Sequence, residues 1–230
     1  SACGAALLRT VHGSRVAPGA VTLAHDGVLF LDEAPEFTRP ALEGLRQPME
    51  SGQIWLSRSG WAGLLPARFQ LVLAANPCPC GRRVGRGSDC SCPPQAIRRY
   101  AARLSGPLVD RVDVRVVLTR PLDAELDRGG PGEATAVVRA RVTGARERAA
   151  ARLRESPFPT NASIPTGELR RRWLPDAAGG ELLRELERRS SNLRGPDRIL
   201  RVAWTLADLG GVDRPGRDEV GQAIGLRGVA

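Results

Sequence analysis

Apolar residues fall into short unbroken runs in the first half of the chain and into helical spacing in the second. Val28–Leu31 holds four apolar residues with no polar break, the pattern of a strand buried on both faces. Pro35 ends it. Pro40–Glu50 reads as a helix, because Pro suits a first helical position and Leu42, Leu45 and Met49 recur at helical spacing. Gln53–Ser57 alternates, "SRSGWAG" is turn-prone and Leu64–Phe69 comes next, which predicts a β-hairpin. Gln70–Ala75 is a second buried strand, ending at Asn76-Pro77. Ala96–Leu104 reads as a helix and Asp113–Leu118, "DVRVVL", as a third strand. Residues 1–26 are Gly-rich and weakly periodic.

Pro121–Gly132 is rich in Pro and Gly, and the residues beyond it read as helical throughout. The spacing predicts helices near Glu133–Arg154, Gly167–Trp173, Ala177–Ser190, Pro196–Leu209 and Arg217–Leu226. The fold class expected is α/β, a parallel sheet with flanking helices and a β-hairpin, followed by an all-helical domain. The domains expected are 1–120, a linker over 121–132, and 133–230.

Composition narrows the class. The 230 residues are 42% hydrophobic and 26% charged, as in a globular protein. No apolar run approaches the roughly 20 residues that span a bilayer, and no signal-peptide pattern opens the chain. No membrane partner and a cytoplasmic location are therefore expected. The chain opens without Met, and its only Met is Met49, so a piece of a longer protein is expected. The net charge is +9, and every one of the 34 basic residues is Arg. That balance favours anionic partners such as nucleic acid or nucleotide; an Arg-biased solvated surface is the plainer alternative.

The candidate chemistry sits at the strand ends. Asp32 and Glu33 follow Leu31, where a parallel strand delivers side chains into a ligand crevice. An Asp there can hold Mg²⁺ on nucleotide phosphates, and the next Glu can orient or deprotonate the attacking water. Asn76 ends the second strand, 43 residues after Glu33. Its amide can hydrogen-bond a γ-phosphate or water without adding negative charge; capping the turn before Pro77 is the simpler role. Arg111, in "SGPLVDRVDV", can offset charge on a transferring phosphoryl group, or pair locally with Asp110 and Asp113.

Four of the five cysteines, Cys78, Cys80, Cys90 and Cys92, lie within fifteen residues as two Cys-x-Cys pairs. Clustered thiols in a reducing compartment suggest a metal before disulfides, here structural zinc; reduced thiols in a loop are the alternative. Trp61 and Arg58 near the hairpin tip offer stacking and charge to nucleic acid, whereas Trp55 is expected to pack against the domain. The arginines of the first C-terminal helix (Arg139, Arg141, Arg146, Arg148, Arg152 and Arg154) are expected to be solvated. Cys3 stands apart, and the two histidines are isolated.

The ordered segments "GVLFLDEAPEF", "LRQPMESGQI", "PARFQLVLAANPCPCG" and "RRYAARLSGPLVDRVDV" resemble the YifB/ComM-type, magnesium-chelatase-like branch of the AAA+ ATPases. "LRGPDRILRVAWTLADL" resembles that family's helical lid domain, and the resemblance runs from about Val21 onward. It implies that Asp32 and Glu33 are Walker B, Asn76 sensor 1, Arg111 an arginine finger acting on the next subunit, and Arg194 sensor 2. It also implies that the hairpin lines a pore, and that the intact protein is an ATP- and Mg²⁺-dependent homo-oligomeric ring, a hexamer, that processes DNA by branch migration or helicase-like motion. Ala34-Pro35 stands where the family usually has Leu-Pro, and Gly195-Pro196 interrupts the approach to a long lid helix. A P-loop needs a lysine upstream of Walker B. This chain has none, so it is expected to begin inside the core, the alternative being a truncated paralogue, and in either case to be inactive alone. The rival functions are a chelatase- or MoxR-like protein remodeller, separable by DNA-stimulated ATPase activity, and a truncated zinc and nucleic-acid binding module.

Overall fold

The structure, a computed structural model, describes residues 7, 9–12, 15–58, 61–83, 89–119, 132–189 and 194–228. The chain divides into two compact units, Ser1–Val112 and Asp113–Ala230. Residues 121–131 of the expected linker, Cys3 and the hairpin tip at 59–60 lie outside the described residues.

In the first unit an antiparallel pair opens the chain, β1 (Arg9–His12) with β2 (Arg15–Pro18), in the stretch whose sequence is weakly periodic. A short helix α1 (Ala20–Leu23) leads to β3 (Val28–Leu31). The expected helix over Pro40–Glu50 is two, α2 (Arg39–Gly44) and α3 (Arg46–Ser51). Leu45 joins them, and Gly52 ends the second at φ 67°, a left-handed conformation that costs glycine nothing. Then β4 (Gln53–Arg58) and β5 (Trp61–Pro66) form the predicted hairpin, with Ile54 opposite Leu65 and Trp55 opposite Leu64. β6 (Gln70–Leu73) returns to pair in parallel with β3, Leu31 opposite Leu73. Helices α4 (Pro94–Ala101) and α5 (Gly106–Val109) complete the unit.

Burial explains the register. Leu29 and Leu31 of β3 point into a core with Val21, Leu42, Leu45, Ile54, Leu56 and Leu108. Alternate residues face the other way, and Val28, Phe30 and Val72 are exposed, Phe30 by 57%. Trp55 is 54% exposed, so it does not pack against the domain as its sequence suggests. It stands on the hairpin face opposite to Ile54 and Leu56, because a strand alternates its side chains.

Among the described residues no strand forms over Asp113–Leu118. A β-branched run becomes a strand only where a neighbouring edge takes its backbone groups. Here the Arg115 N–H goes instead to the Leu226 carbonyl, at 2.6 Å, and Leu118 is left 87% exposed.

The second unit is helical, with α6 (Thr135–Leu153), α7 (Thr166–Arg172), α8 (Ala177–Arg189), α9 (Arg194–Gly210) and α10 (Arg217–Arg227). Its core joins Leu153, Ile164, Leu169, Trp173, Ile199, Leu200, Trp204 and Val220. Pro196 does not interrupt α9: it sits in the first turn, where a missing N–H breaks no helical bond. Of the arginines expected in solvent, Arg152 is half-buried, and Arg148 is exposed yet still held by a hydrogen bond. Arg148 donates to the Asp208 carbonyl at 2.6 Å. Arg152 pairs with Asp208 at 2.7 Å, donates to Asn161 at 2.9 Å, and lies 4.1 Å over the Trp204 ring.

Candidate functional site

Parallel pairing of β3 and β6 brings two loops to one edge. Past the strand ends the ladder continues, with Ala74 N–H on the Leu31 carbonyl at 3.0 Å and Ala34 N–H on the Ala74 carbonyl at 2.8 Å. Asp32 and Glu33 therefore leave the sheet beside the segment that carries Asn76, and all three are exposed. Asp32 Oδ1 accepts from the Glu33 N–H at 2.9 Å. Glu33 sits at φ 49°, ψ 44°, left-handed backbone that a residue with a Cβ adopts at a cost of about 1–2 kcal/mol. Strain of that kind concentrates at functional turns.

Residues that sequence reasoning missed hold this edge in place. Tyr100, the only tyrosine, is buried on α4. Burial and then the Glu36 charge push its phenol up, while a backbone hydrogen bond from Asn76 opposes them. The phenol is thus protonated at neutral pH. Arg103, just past α4, donates to the Pro35 carbonyl at 3.0 Å and to Glu36 at 2.8 Å. The turn after the acids and the turn of Asn76 are thereby tied to the same helix. A lone Tyr after the Cys-rich loop is the one sequence signal that pointed this way.

Arg111 follows α5. It donates to the Pro107 carbonyl at 2.6 Å and forms an ion pair with Glu50 of α3, its own side chain being only 10% exposed. Its sequence neighbourhood suggests Asp110 and Asp113 as partners and gives no hint of Glu50, which lies 61 residues away. Of Arg194 the structure describes the backbone, at the start of α9. Arg58 and Trp61 are likewise described by backbone, as opposite residues of the last hairpin pair.

The four cysteines converge. All four Sγ atoms lie within 4.8 Å of one another, with Cys78 to Cys80 at 3.4 Å, Cys78 to Cys90 at 3.6 Å and Cys80 to Cys90 at 3.8 Å. None is in a disulfide. Burial pushes the Cys78 thiol up, but hydrogen bonds from Cys80, the Arg83 backbone and Cys90 outweigh it and bring it to about 6. Cys92 is pushed up to about 11, chiefly by its contact with Cys80. Such a set of soft donors could hold a metal ion such as zinc.

A parallel strand pair with two acids and an amide at one edge, an inserted hairpin and a following helical unit define a partial AAA+ core with its helical extension. The family described as magnesium chelatase, subunit ChlI, matches residues 1–126, and its C-terminal part matches residues 132–227. The chain belongs to this family. A protein of Mycobacterium tuberculosis described as uncharacterized is 51% identical over 211 residues, which is 91% of this chain and 41% of that protein. The protein YifB of Escherichia coli is 39% identical over 228 residues, 98% of this chain and 44% of its own length. Competence protein ComM of Haemophilus influenzae is 41% identical over 212 residues, 91% of this chain and 40% of its own length. The chain thus spans about two fifths of the length of these relatives.

Proposed function

We propose that this chain is the Walker B-to-lid part of an ATP-hydrolysing ring motor that acts on DNA in the cytoplasm. The observation that carries the reading is the shared edge of β3 and β6, where Asp32, Glu33 and Asn76 emerge side by side. Asp32 is an exposed carboxylate that fits one Mg²⁺ position, and the ion would offset negative charge on the phosphates. Glu33 takes the proton of the attacking water, and the Asn76 amide orients that water or the γ-phosphate. Arg111 acts on the nucleotide of an adjacent subunit, and Arg194 reaches the phosphates from the helical unit.

Activity then belongs to the intact protein, because this chain has no lysine to serve a P-loop. The exposed face of Val28, Phe30 and Val72 supports a larger core, since parallel sheets are covered on both faces. DNA as the partner is supported by the +9 charge, by likeness to a competence protein, and by exposed Trp55 and Leu64 on the hairpin. Arg58 and Trp61 contact the strand from the hairpin tip.

The test uses the intact protein with Glu33→Gln. ATP still binds, and turnover falls by about 10²–10⁴-fold with or without DNA. Turnover unchanged by this substitution sinks the assignment of Glu33. Wild-type ATPase activity indifferent to DNA removes the DNA motor in favour of a protein remodeller.

A further inference from the structure

The cysteine cluster lies in the loop between the Asn76 turn and α4, and its geometry is specific. Four thiolates at about 2.3 Å from one tetrahedral ion stand about 3.8 Å apart. The contacts of 3.4, 3.6 and 3.8 Å fit that spacing. A disulfide would need about 2.05 Å. A multi-iron cluster seats its thiolates on separate metals, which holds them further apart than one shared ion does. Tetrahedral sulfur donors for a single ion suit zinc.

The loop's two ends lead to the catalytic edge by different routes. Gly81 closes the first knuckle, its N–H on the Cys78 carbonyl at 3.0 Å and its φ at 71°. A Cβ built there would lie 3.7 Å from the Asn76 side chain, so the knuckle abuts the amide directly. The second pair, Cys90 and Cys92, runs through Pro93 into α4, which presents Tyr100 to the Asn76 backbone and leads to Arg103 on the Pro35 carbonyl.

We propose that Cys78, Cys80, Cys90 and Cys92 bind one zinc ion, and that this ion fastens the Asn76 turn to the helix that steadies the Asp32-Glu33 turn. Zinc replaces the protons of the thiols, so the metal enters with proton release and no change of oxidation state. The four cysteines and Tyr100 are positioning residues. The consequence for hydrolysis rests on the proposed ATPase function, whereas the metal site and the rigidity it confers do not.

The test uses the intact protein purified under reducing conditions. Metal analysis returns about one zinc per chain, and Co²⁺ exchanged into the site gives the intense visible bands of a tetrahedral thiolate complex. Cys90→Ser with Cys92→Ser abolishes both. Because such variants can lose local order, the second arm keeps the native sequence and removes zinc with a chelator. Amide hydrogen exchange across residues 74–83 and 94–104 then quickens by about tenfold or more, and restored zinc reverses it. Four reduced thiols without metal, a disulfide, or iron in place of zinc overturns the site. Zinc bound with exchange at 74–83 indifferent to its removal overturns the fastening. If the ATPase function fails instead, the intact protein lacks turnover while zinc and exchange protection are both present.

Discussion

Glu33 shows how much a single backbone conformation can decide. Its φ of 49° turns the chain just after β3, so that Asp32 and Glu33 leave the strand at the carboxyl edge of the sheet. A β-branched residue meets the highest cost in that conformation, and glycine meets none. Glu33→Val is therefore expected to destabilise the first unit by about 1–2 kcal/mol. Glu33→Gly leaves stability within about 0.5 kcal/mol, because relief of strain is offset by the added freedom of the unfolded chain. Urea unfolding of both variants checks this, and equal stability of the two would mean that the turn carries no strain. No feature of the letters "DE" signals the conformation: Pro35 marks a turn, but only the Ala34-to-Ala74 hydrogen bond fixes which one.

Among the elements, α6 forms where its sequence predicts, but one of its arginines departs from the solvated reading. The arginines of α6 look like a solvated face, yet Arg152 is drawn inward by Asp208, Asn161 and the face of Trp204. Asn161 also donates to Asp208 at 2.8 Å and to Thr205 at 3.2 Å, so it is a buried structural amide. Asp208→Ala orphans a mostly buried guanidinium, and the expected cost is about 3–5 kcal/mol. Hydrogen exchange across α6 and α9 reports it. Adding Arg152→Leu to Asp208→Ala should recover part of the loss, since no unpaired charge remains. A double variant as unstable as the sum of the singles would show that the two residues act independently. Helical periodicity cannot reveal such a network, because its members come from three separate segments.

At the scale of the whole molecule, the proposed ring raises the question whether Arg111 serves its own subunit or the next. Within the chain it lies against Glu50, and a pair with so exposed a carboxylate stabilises by about 1 kcal/mol or less. An arginine finger acting in trans is worth about 10³–10⁵ in rate. In the intact protein, Arg111→Ala is expected to remove turnover while nucleotide binding and folding persist. Mixing Arg111→Ala subunits with Glu33→Gln subunits then restores some activity, because an intact Glu33 can face an intact Arg111 on its neighbour. Mixed rings that form and stay inactive would return Arg111 to a structural role beside Glu50.

Runs such as Val28–Leu31 and Gln70–Leu73 are legible from sequence because strand burial leaves its period in the residues themselves. The roles proposed for the acids, the amide and the cysteines start from sequence, because such chemistry needs those residue types at strand ends and in close pairs. Most of the C-terminal helices are legible for the same reason as the strands, within a residue or two at their ends. Asp113–Leu118 reads as a strand and is not one, because an apolar run carries no record of whether an edge awaits it. The parallel register that sets Glu33 beside the Asn76 segment, the partnership of Arg111 with Glu50, and the convergence of two Cys-x-Cys pairs were decided only in three dimensions. Each depends on groups distant in sequence meeting in space, and pairing of that kind is a property of the folded chain as a whole.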